Sequence, residues 1–230
     1  ENFVDPSTQP TWTAVNTGLA STACTEFWLD PFDPANRQYV LADSVLYRRE
    51  GGGNWTSILT LAQIAALTGY TAADIFGGFC TDPSVNGRLW VVARCYSVNW
   101  YEQRVRALYS NDYGATWSVA AGVLYSINFG YARSLGSIRA YGNNAFASLN
   151  TGSGSSTRVS YSTDLGASWS QVNTEVPGGS YPFGYNYLLP NYAYSRSDTT
   201  GNTDLNRVTN LGGNTVLQDG LGFSRYDSMW

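Results

Sequence analysis

The side chains available for chemistry are restricted in this sequence of 230 residues. It contains no histidine, and all 13 of its basic residues are arginine. Histidine-activated nucleophiles, histidine metal sites and lysine Schiff bases are therefore excluded within this chain. We expect no metal and no cofactor, and any catalysis would have to use Asp, Glu, Tyr, Ser or Arg.

One short aromatic segment with charged neighbours is the best candidate for contact with a ligand. Trp100 and Tyr101 are followed by Glu102 and Arg104. Aromatic rings stack on sugar rings or on a protein surface, and an arginine can bind a carboxylate through two hydrogen bonds. The alternative is that one ring belongs to the core and the other simply lies at the surface.

The bulk properties exclude some classes of protein. A formal net charge of −4 argues against a nucleic-acid binder, which needs a cationic face. No run of apolar residues approaches the ~18 that a transmembrane helix requires. Cys80 and Cys95 flank a turn and are candidates for a disulfide, with two buried thiols as the alternative.

The elements that must position these side chains are indicated by a repeated motif. Residues 110–117 read SNDYGATW and residues 162–169 read STDLGASW. The aspartate can accept hydrogen bonds from nearby backbone N–H groups, the glycine can adopt positive φ, and the tryptophan can bury a large ring. We therefore expect a structural turn, with a catalytic or metal-binding aspartate as the alternative. The predicted structural residues are Ser110, Asp112, Gly114, Trp117, Ser162, Asp164, Gly166 and Trp169, with Glu50, Gly52 and Trp55 in an incomplete copy.

The spacing of tryptophans predicts the architecture. Trp12, Trp55, Trp117, Trp169 and Trp230 follow one another at intervals of roughly 40–60 residues, and several short strands fit into each interval. This predicts an all-β fold, a β-propeller of four-stranded antiparallel blades with about four blades present. We expect one domain over 1–230, with blades at about 20–60, 75–122, 127–176 and 180–230, residues 11–16 completing a blade, and a short helical insertion at 59–69. A small closed ring and part of a larger propeller are both compatible with this pattern.

The two complete motifs resemble the Asp-box, also called the bacterial neuraminidase repeat. That family of β-propellers includes sialidases, other glycoside hydrolases, sortilin-type receptors and photosystem assembly factors. Asp-Pro turns between first and second strands, at Asp33-Pro34 and Asp82-Pro83, also fit the family. The resemblance implies a propeller in which the boxes lie on the rim, away from the binding face.

The opposite face is therefore where we expect function. It would carry the loops between second and third strands and the links between blades. The candidate ligand-binding residues there are Trp100, Tyr101, Glu102, Arg104, Tyr131, Arg133, Tyr185, Arg196 and Asp198. A sialidase-like site would use Arg104, Arg133 and Arg196 with the acids Glu102, Asp74 and Asp198, but the Arg-Ile-Pro segment and the Tyr/Glu pair of that family do not align.

The predicted function is that of an extracellular or cell-surface, non-catalytic propeller module that recognises a glycan or a protein partner. We expect it to bind no nucleic acid and to contain no transmembrane segment. It would act alone or as part of a larger chain or assembly. One alternative is a glycoside hydrolase of the sialidase-like, Asp-box type, or a fragment of one. A second alternative is a purely structural subunit of a surface assembly.

Overall fold

In the computed structural model, the residues that it describes form four antiparallel sheets. It describes residues 13–97, 102–128, 134–150, 156–177, 187–189, 192–199, 202–209, 216–217 and 223–224. The first three sheets are meanders in which strands that follow one another in the chain are hydrogen-bonded neighbours, and the fourth follows this order except for its last strand. The all-β class and the four-stranded antiparallel units predicted from the sequence are confirmed.

The first two sheets are separated by the single helix of the described residues. Sheet one contains β1 (Cys24–Leu29), β2 (Arg37–Ala42), β3 (Val45–Glu50) and β4 (Thr56–Leu59). Helix α1 (Leu61–Thr68) follows, and sheet two contains β5 (Ala72–Thr81), β6 (Leu89–Tyr96), β7 (Glu102–Ser110) and β8 (Ser118–Asn128). Thr60 and Gln63 form a capping box at the start of α1, and Gly69 ends it in the left-handed conformation. Its buried Ile64 packs between the two sheets.

The other two sheets follow in the same way. Sheet three contains β9 (Ser134–Tyr141), β10 (Asn144–Asn150), β11 (Ser156–Ser162) and β12 (Ser170–Pro177). Sheet four contains β13 (Tyr187–Leu189), β14 (Tyr192–Thr199), β15 (Asn202–Thr209), β16 (Val216–Leu217) and β17 (Phe223–Ser224). Both β16 and β17 pair with β15, at different places along it.

Successive sheets pack face to face, and the first strand of each is innermost. β1 contacts β5, β5 contacts β9 and β9 contacts β13. One apolar core lies between sheets one and two and includes Tyr39, Leu41, Phe79 and Val91. A second lies between sheets two and three and is built around Trp90 and Val92, with Ile138 and Ala147 from sheet three. This stacking of four-stranded meanders is the blade arrangement of a propeller.

The cysteines are not bridged. Cys24, Cys80 and Cys95 are all free, and only Cys24 is exposed. Cys80 lies opposite Trp90 and Cys95 lies opposite Ala73, so they are at different heights in sheet two. They also belong to different apolar cores, on opposite faces of that sheet. Burial raises the pKa of the Cys80 thiol to about 12, which keeps it protonated.

Two details differ from the sequence-based expectations. Residues 13–16 are not in a strand, although 11–16 were expected to complete a blade. Asp33-Pro34 lies between β1 and β2 as expected, but the aspartate of sheet one that is equivalent to Asp82 is Asp30, which precedes Pro31. Both Asp30 and Asp82 are buried, and each Oδ1 accepts from the backbone N–H two residues later. No helix in the described part of the chain combines the length and apolarity needed to cross a membrane.

Candidate functional site

The two complete boxes have the same hydrogen-bond geometry. In the first, Ser110 Oγ donates to Asp112 Oδ1 at 2.7 Å and accepts from the Gly114 N–H at 2.8 Å. Asp112 also accepts from the Thr116 N–H at 2.8 Å and from Thr116 Oγ1 at 2.6 Å. In the second box Ser162, Asp164, Gly166 and Ser168 repeat these bonds at 2.6–2.9 Å. Each box is thus a turn closed by one carboxylate.

These bonds keep the box carboxylates ionised. The Ser168 side chain and backbone, followed by Ser162, lower the pKa of Asp164 to about 2. For Asp112, desolvation alone would raise the pKa, but the hydrogen bonds from Thr116 and Ser110 outweigh it and lower the pKa. Both oxygens of each carboxylate are already hydrogen-bonded acceptors, which favours the structural interpretation of the boxes over the catalytic one.

Each box also contacts the outermost strand of the preceding sheet. A Cβ at Gly114 would lie 2.5 Å from Ile58 Cδ1 of β4, and a Cβ at Gly166 would lie 2.6 Å from Ala120 Cβ of β8. Trp117 Nε1 donates to the Ile58 carbonyl at 3.0 Å. The glycines are therefore needed for close approach between sheets as well as for their positive φ of 85° and 75°.

The incomplete copy in sheet one is held by ion pairs instead. Glu50, in the position of the box aspartate, lies 3.0 Å from Arg37 Nε and 3.3 Å from Arg48 Nε. Gly52 keeps a positive φ of 74°, but a Cβ there would meet only the far end of Arg49, at 3.7 Å. Trp55 keeps its buried position.

Most of the predicted ligand-binding residues are outside the described part of the chain. These are Trp100, Tyr101, Tyr131, Arg133 and Tyr185. Glu102 and Arg104 belong to β7, opposite Asn128 and Ser126 of β8. Arg196 and Asp198 belong to β14, opposite Leu205 and Thr203 of β15, so these four residues are in strands rather than in the expected loops. Their roles as ligand contacts stay predictions.

A cluster on the innermost strands was not expected from the sequence. Glu26 Oε1 on β1 accepts from Trp28 Nε1 at 3.0 Å, and Oε2 accepts from the Phe79 N–H of β5 at 3.0 Å. Arg139 of β9 lies 3.6 Å from Glu26 and has its guanidinium 4.4 Å from the centre of the Trp28 ring. The three side chains are partly buried, and together they join sheets one, two and three at the innermost strands.

Burial and the neighbouring polar groups of this cluster shift the pKa of Glu26 in opposite directions. Burial raises the pKa of Glu26, although the hydrogen bonds from Trp28 and Phe79 and the charge of Arg139 oppose the change. The alternation of Glu26 and Trp28 on one strand places them on the same face and was visible in the sequence. Their partner Arg139 is more than 100 residues later, and no local pattern connects it with them.

A second polar group lies between the first turns of sheets one and two. Asp30 Oδ2 accepts from Arg37 Nη1 at 2.8 Å, whereas Asp82 Oδ2 is 4.0 Å from Arg88 Nη1. Among the described residues, Asp82 Oδ2 and the Tyr39 hydroxyl are both buried without a hydrogen-bond partner. Within the same residues, no three Asp, Glu or Cys side chains come together as a set of metal ligands.

Comparison with known proteins supports the fold but not a specific family. No protein-family model matches the sequence, and no curated protein matches it. Among solved structures, an α-L-arabinofuranosidase of family GH93 from Fusarium graminearum, in complex with arabinobiose, has a TM-score of 0.53 at 12% identity and aligns 91% of this chain with 72% of that chain. An ancestral GH74 enzyme has a TM-score of 0.52 at 14% identity, over 88% of this chain and 26% of that chain.

Sialidases are also among the similar structures. The Trypanosoma rangeli sialidase in complex with the inhibitor DANA has a TM-score of 0.48 at 12% identity, over 81% of this chain and 38% of that chain. The GH93 and GH74 matches show that the chain has the fold of part of a β-propeller. It spans only 26%, 43% and 40% of the GH74 enzyme, a Bacteroides ovatus GH43 protein and a microbial sialidase.

Proposed function

We propose that this chain is a non-catalytic β-propeller module that binds a carbohydrate. The observation that carries the proposal is how Glu26 is bonded. This acid is on the innermost strand of sheet one and contacts the innermost strands of sheets two and three. Both of its oxygens accept hydrogen bonds, from Trp28 Nε1 and from the Phe79 N–H. A general acid or base has to exchange a proton with the substrate, whereas these bonds and the Arg139 guanidinium, 3.6 Å away, hold the Glu26 carboxyl in a network within the protein.

The choice of carbohydrate as ligand has two supports. An indole ring and a guanidinium, those of Trp28 and Arg139, lie together on the innermost strands, and such groups stack on sugars and bond their hydroxyls. The propellers of similar fold are glycoside hydrolases, and one of them is bound to arabinobiose. Trp100 and Tyr101 remain predicted ligand contacts on the face away from the boxes. An extracellular location also remains a prediction.

The experiment is a glycan-array screen of the purified chain, with mass spectrometry for released sugar in the same wells. Binding without release is the expected result. Trp100→Ala should then weaken binding, while Phe27→Ser, a change at an exposed side chain of sheet one, serves as the matched control. A blank array would overturn the carbohydrate proposal and leave a protein partner.

A glycoside hydrolase is the second candidate, and one observation favours it. Burial raises the pKa of Glu26, which is the direction required of a catalytic acid at neutral pH. Release of sugar in the array would support this function, and Glu26→Gln should then abolish release while leaving binding in place. Release that is unchanged in Glu26→Gln would exclude Glu26 as the acid.

A further inference from the structure

The cluster on the innermost strands is almost closed to solvent. The side chains of Glu26 and Arg139 are 16% and 18% exposed, and Trp28 is partly buried. Trp28 Nε1 donates to Glu26 Oε1, and the Arg139 guanidinium contacts both the Glu26 carboxyl and the Trp28 ring. The indole and the guanidinium that would bind a carbohydrate are therefore already engaged by Glu26.

Irregular strand pairing brings three sheets together at this acid. The register of β1 shifts just before Glu26. The register of β5 shifts just before Phe79, whose N–H donates to Glu26 Oε2 at 3.0 Å. The pairing of β9 with β10 is irregular just before Arg139. Irregularities of this kind re-aim side chains, and here three of them adjoin the contacts of one carboxyl group.

The charged and titratable groups that act on Glu26 come from two neighbouring strands. Arg139 of β9 faces the carboxyl, and its positive charge favours the ionised acid. Cys80 of β5 is influenced by the same two charges, but burial raises its pKa to about 12, so the thiol stays neutral. Burial also raises the pKa of Glu26 against the effect of Arg139. Glu26 therefore takes up its proton above about pH 4.3, the value of a free glutamic acid.

Protonation removes part of what holds the cluster together. An ionised carboxylate accepts hydrogen bonds at both oxygens, whereas a protonated carboxyl group carries a donor on one of them. The attraction between Glu26 and Arg139 is lost at the same time. Phe79 is 0% exposed and its N–H is part of the backbone, so the indole of Trp28 is the donor that can turn away.

We propose that Glu26 is an autoinhibitory latch, which holds Trp28 and Arg139 while it is ionised and releases them to a carbohydrate when it takes up a proton. That the ligand is a carbohydrate rests on the proposed function. Since the form that binds is the protonated one, its population falls tenfold for each pH unit above the midpoint. The dissociation constant should therefore rise about tenfold per pH unit in that range and level off below it.

The pH dependence of glycan binding tests the latch. The glycan array is screened at about pH 4 and at about pH 8, and the dissociation constant of a bound glycan is then measured across that range. Glu26→Gln is neutral at every pH, so it should bind at the upper limit as tightly as the unchanged chain binds at the lower one. Glu50→Gln is the matched control, because Glu50 is an acid of sheet one that pairs with Arg37 and Arg48 instead, and it should keep the slope.

The outcomes separate the latch from the proposed function. A dissociation constant that does not change with pH would overturn the latch and leave carbohydrate binding in place. A slope that persists in Glu26→Gln would do the same, because another group would then carry the proton.

A second measurement needs no ligand. The Nε1–H resonance of Trp28, assigned by its loss in Trp28→Phe, should titrate in proton–nitrogen correlation spectra with a midpoint above about pH 4.3. It should not titrate in Glu26→Gln, and the other amide resonances report whether each variant is folded. If the array is blank at both pH values, carbohydrate binding is wrong and this titration decides the latch. Its presence would support the latch, and its absence would overturn it.

Discussion

The turn of sheet one and the boxes of sheets two and three perform the same task with different chemistry. Asp112 and Asp164 close their turns with short hydrogen bonds from the turn itself. The Glu50 side chain instead pairs with Arg37 and Arg48, and the turn is closed by the Gly53 N–H, which donates to the Glu50 carbonyl at 2.8 Å. In addition, Arg37 stacks 3.8 Å from the ring centre of Tyr113, and Arg48 donates to the Tyr113 carbonyl at 2.8 Å. Sheet one thus contacts the next box through arginines.

The difference shows which parts of the motif are interchangeable. A tryptophan and a glycine with positive φ are present in all three turns. The carboxylate network is present in two, and long arginine and glutamate side chains replace it in the third. The tryptophan and the left-handed glycine are kept, whereas the side chains that close the turn can be replaced.

The largest expected difference in stability is between the glycine of a complete box and the glycine of the sheet-one turn. Gly166→Ala should lower the free energy of unfolding by about 3 kcal/mol or more, because left-handed strain adds to a clash with Ala120. Gly52→Ala should cost only about 1–2 kcal/mol, since its new methyl meets open space. Urea denaturation of both variants measures the difference. Equal losses would mean that the box glycines are required for their φ alone.

The next largest difference in stability is between the acid of a complete box, Asp112, and its counterpart in sheet one, Glu50. Asp112→Ala should cost about 1–2 kcal/mol, as the loss of a helix-cap carboxylate does, because the Thr116 N–H loses its acceptor. Glu50→Ala should cost less than about 1 kcal/mol, because its side chain is half exposed and its ion pairs are screened by water. Thermal unfolding at low and at high salt checks both, and only the Glu50 effect should shrink with salt. A large, salt-independent loss at Glu50 would contradict the comparison.

A smaller effect separates the two complete boxes. Trp117 Nε1 donates to the Ile58 carbonyl, whereas Trp169 Nε1 is buried without a partner among the described residues. Both Trp→Phe changes lose ring volume, but only Trp117→Phe also leaves a carbonyl without its donor. Trp117→Phe should therefore be more destabilising than Trp169→Phe by about 1 kcal/mol in chemical denaturation. If Trp169→Phe were the more destabilising change, Trp169 Nε1 would have a hydrogen-bond acceptor outside the described residues.

The smallest effect is one of pH. Asp112 and Asp164 have a lowered pKa in the folded state, so their contribution is present above about pH 4, the value of a free aspartate. It should be lost as the pH falls towards 2. Glu26 has a raised pKa and acts in the opposite direction, since its protonation on acidification relieves a buried charge.

Variants can separate these two contributions. In the double variant Asp112→Asn and Asp164→Asn, the midpoint of urea unfolding should fall less between about pH 4 and about pH 2 than it does in the unchanged chain. Glu26→Gln should leave that acid limb in place. An unchanged acid limb in the double variant would show that the boxes do not carry the acid sensitivity.

Local patterns were sufficient for the architecture. Within the S-x-D-x-G-x-[ST]-W turns, the hydrogen bonds of Asp112 and the positive φ of Gly114 follow from the local pattern. Strand alternation and the spacing of tryptophans likewise predicted four-stranded sheets. Asp33-Pro34 does lie between β1 and β2, as predicted, but Asp30 also precedes a proline. Its burial and its hydrogen bond from the Phe32 N–H make Asp30 the equivalent of Asp82.

The candidate site depended on contacts that no local pattern records. Glu26 and Arg139 meet because β1 and β9 are both innermost strands and flank β5, although they are far apart in the chain. Similarly, Cys80 and Cys95 are close in sequence, but the register of β5 and β6 separates them and places them on opposite faces of one sheet.

By itself, the sequence determined the fold class, the structural nature of the boxes and the exclusion of histidine and lysine chemistry, because these depend on residue types and short-range hydrogen bonds. Only the tertiary structure decided that Glu26, Trp28 and Arg139 form one cluster and that the thiols are separate. These depend on how whole sheets stack. Stacking is set by the summed fit of many apolar side chains, and no single stretch of the chain contains that information.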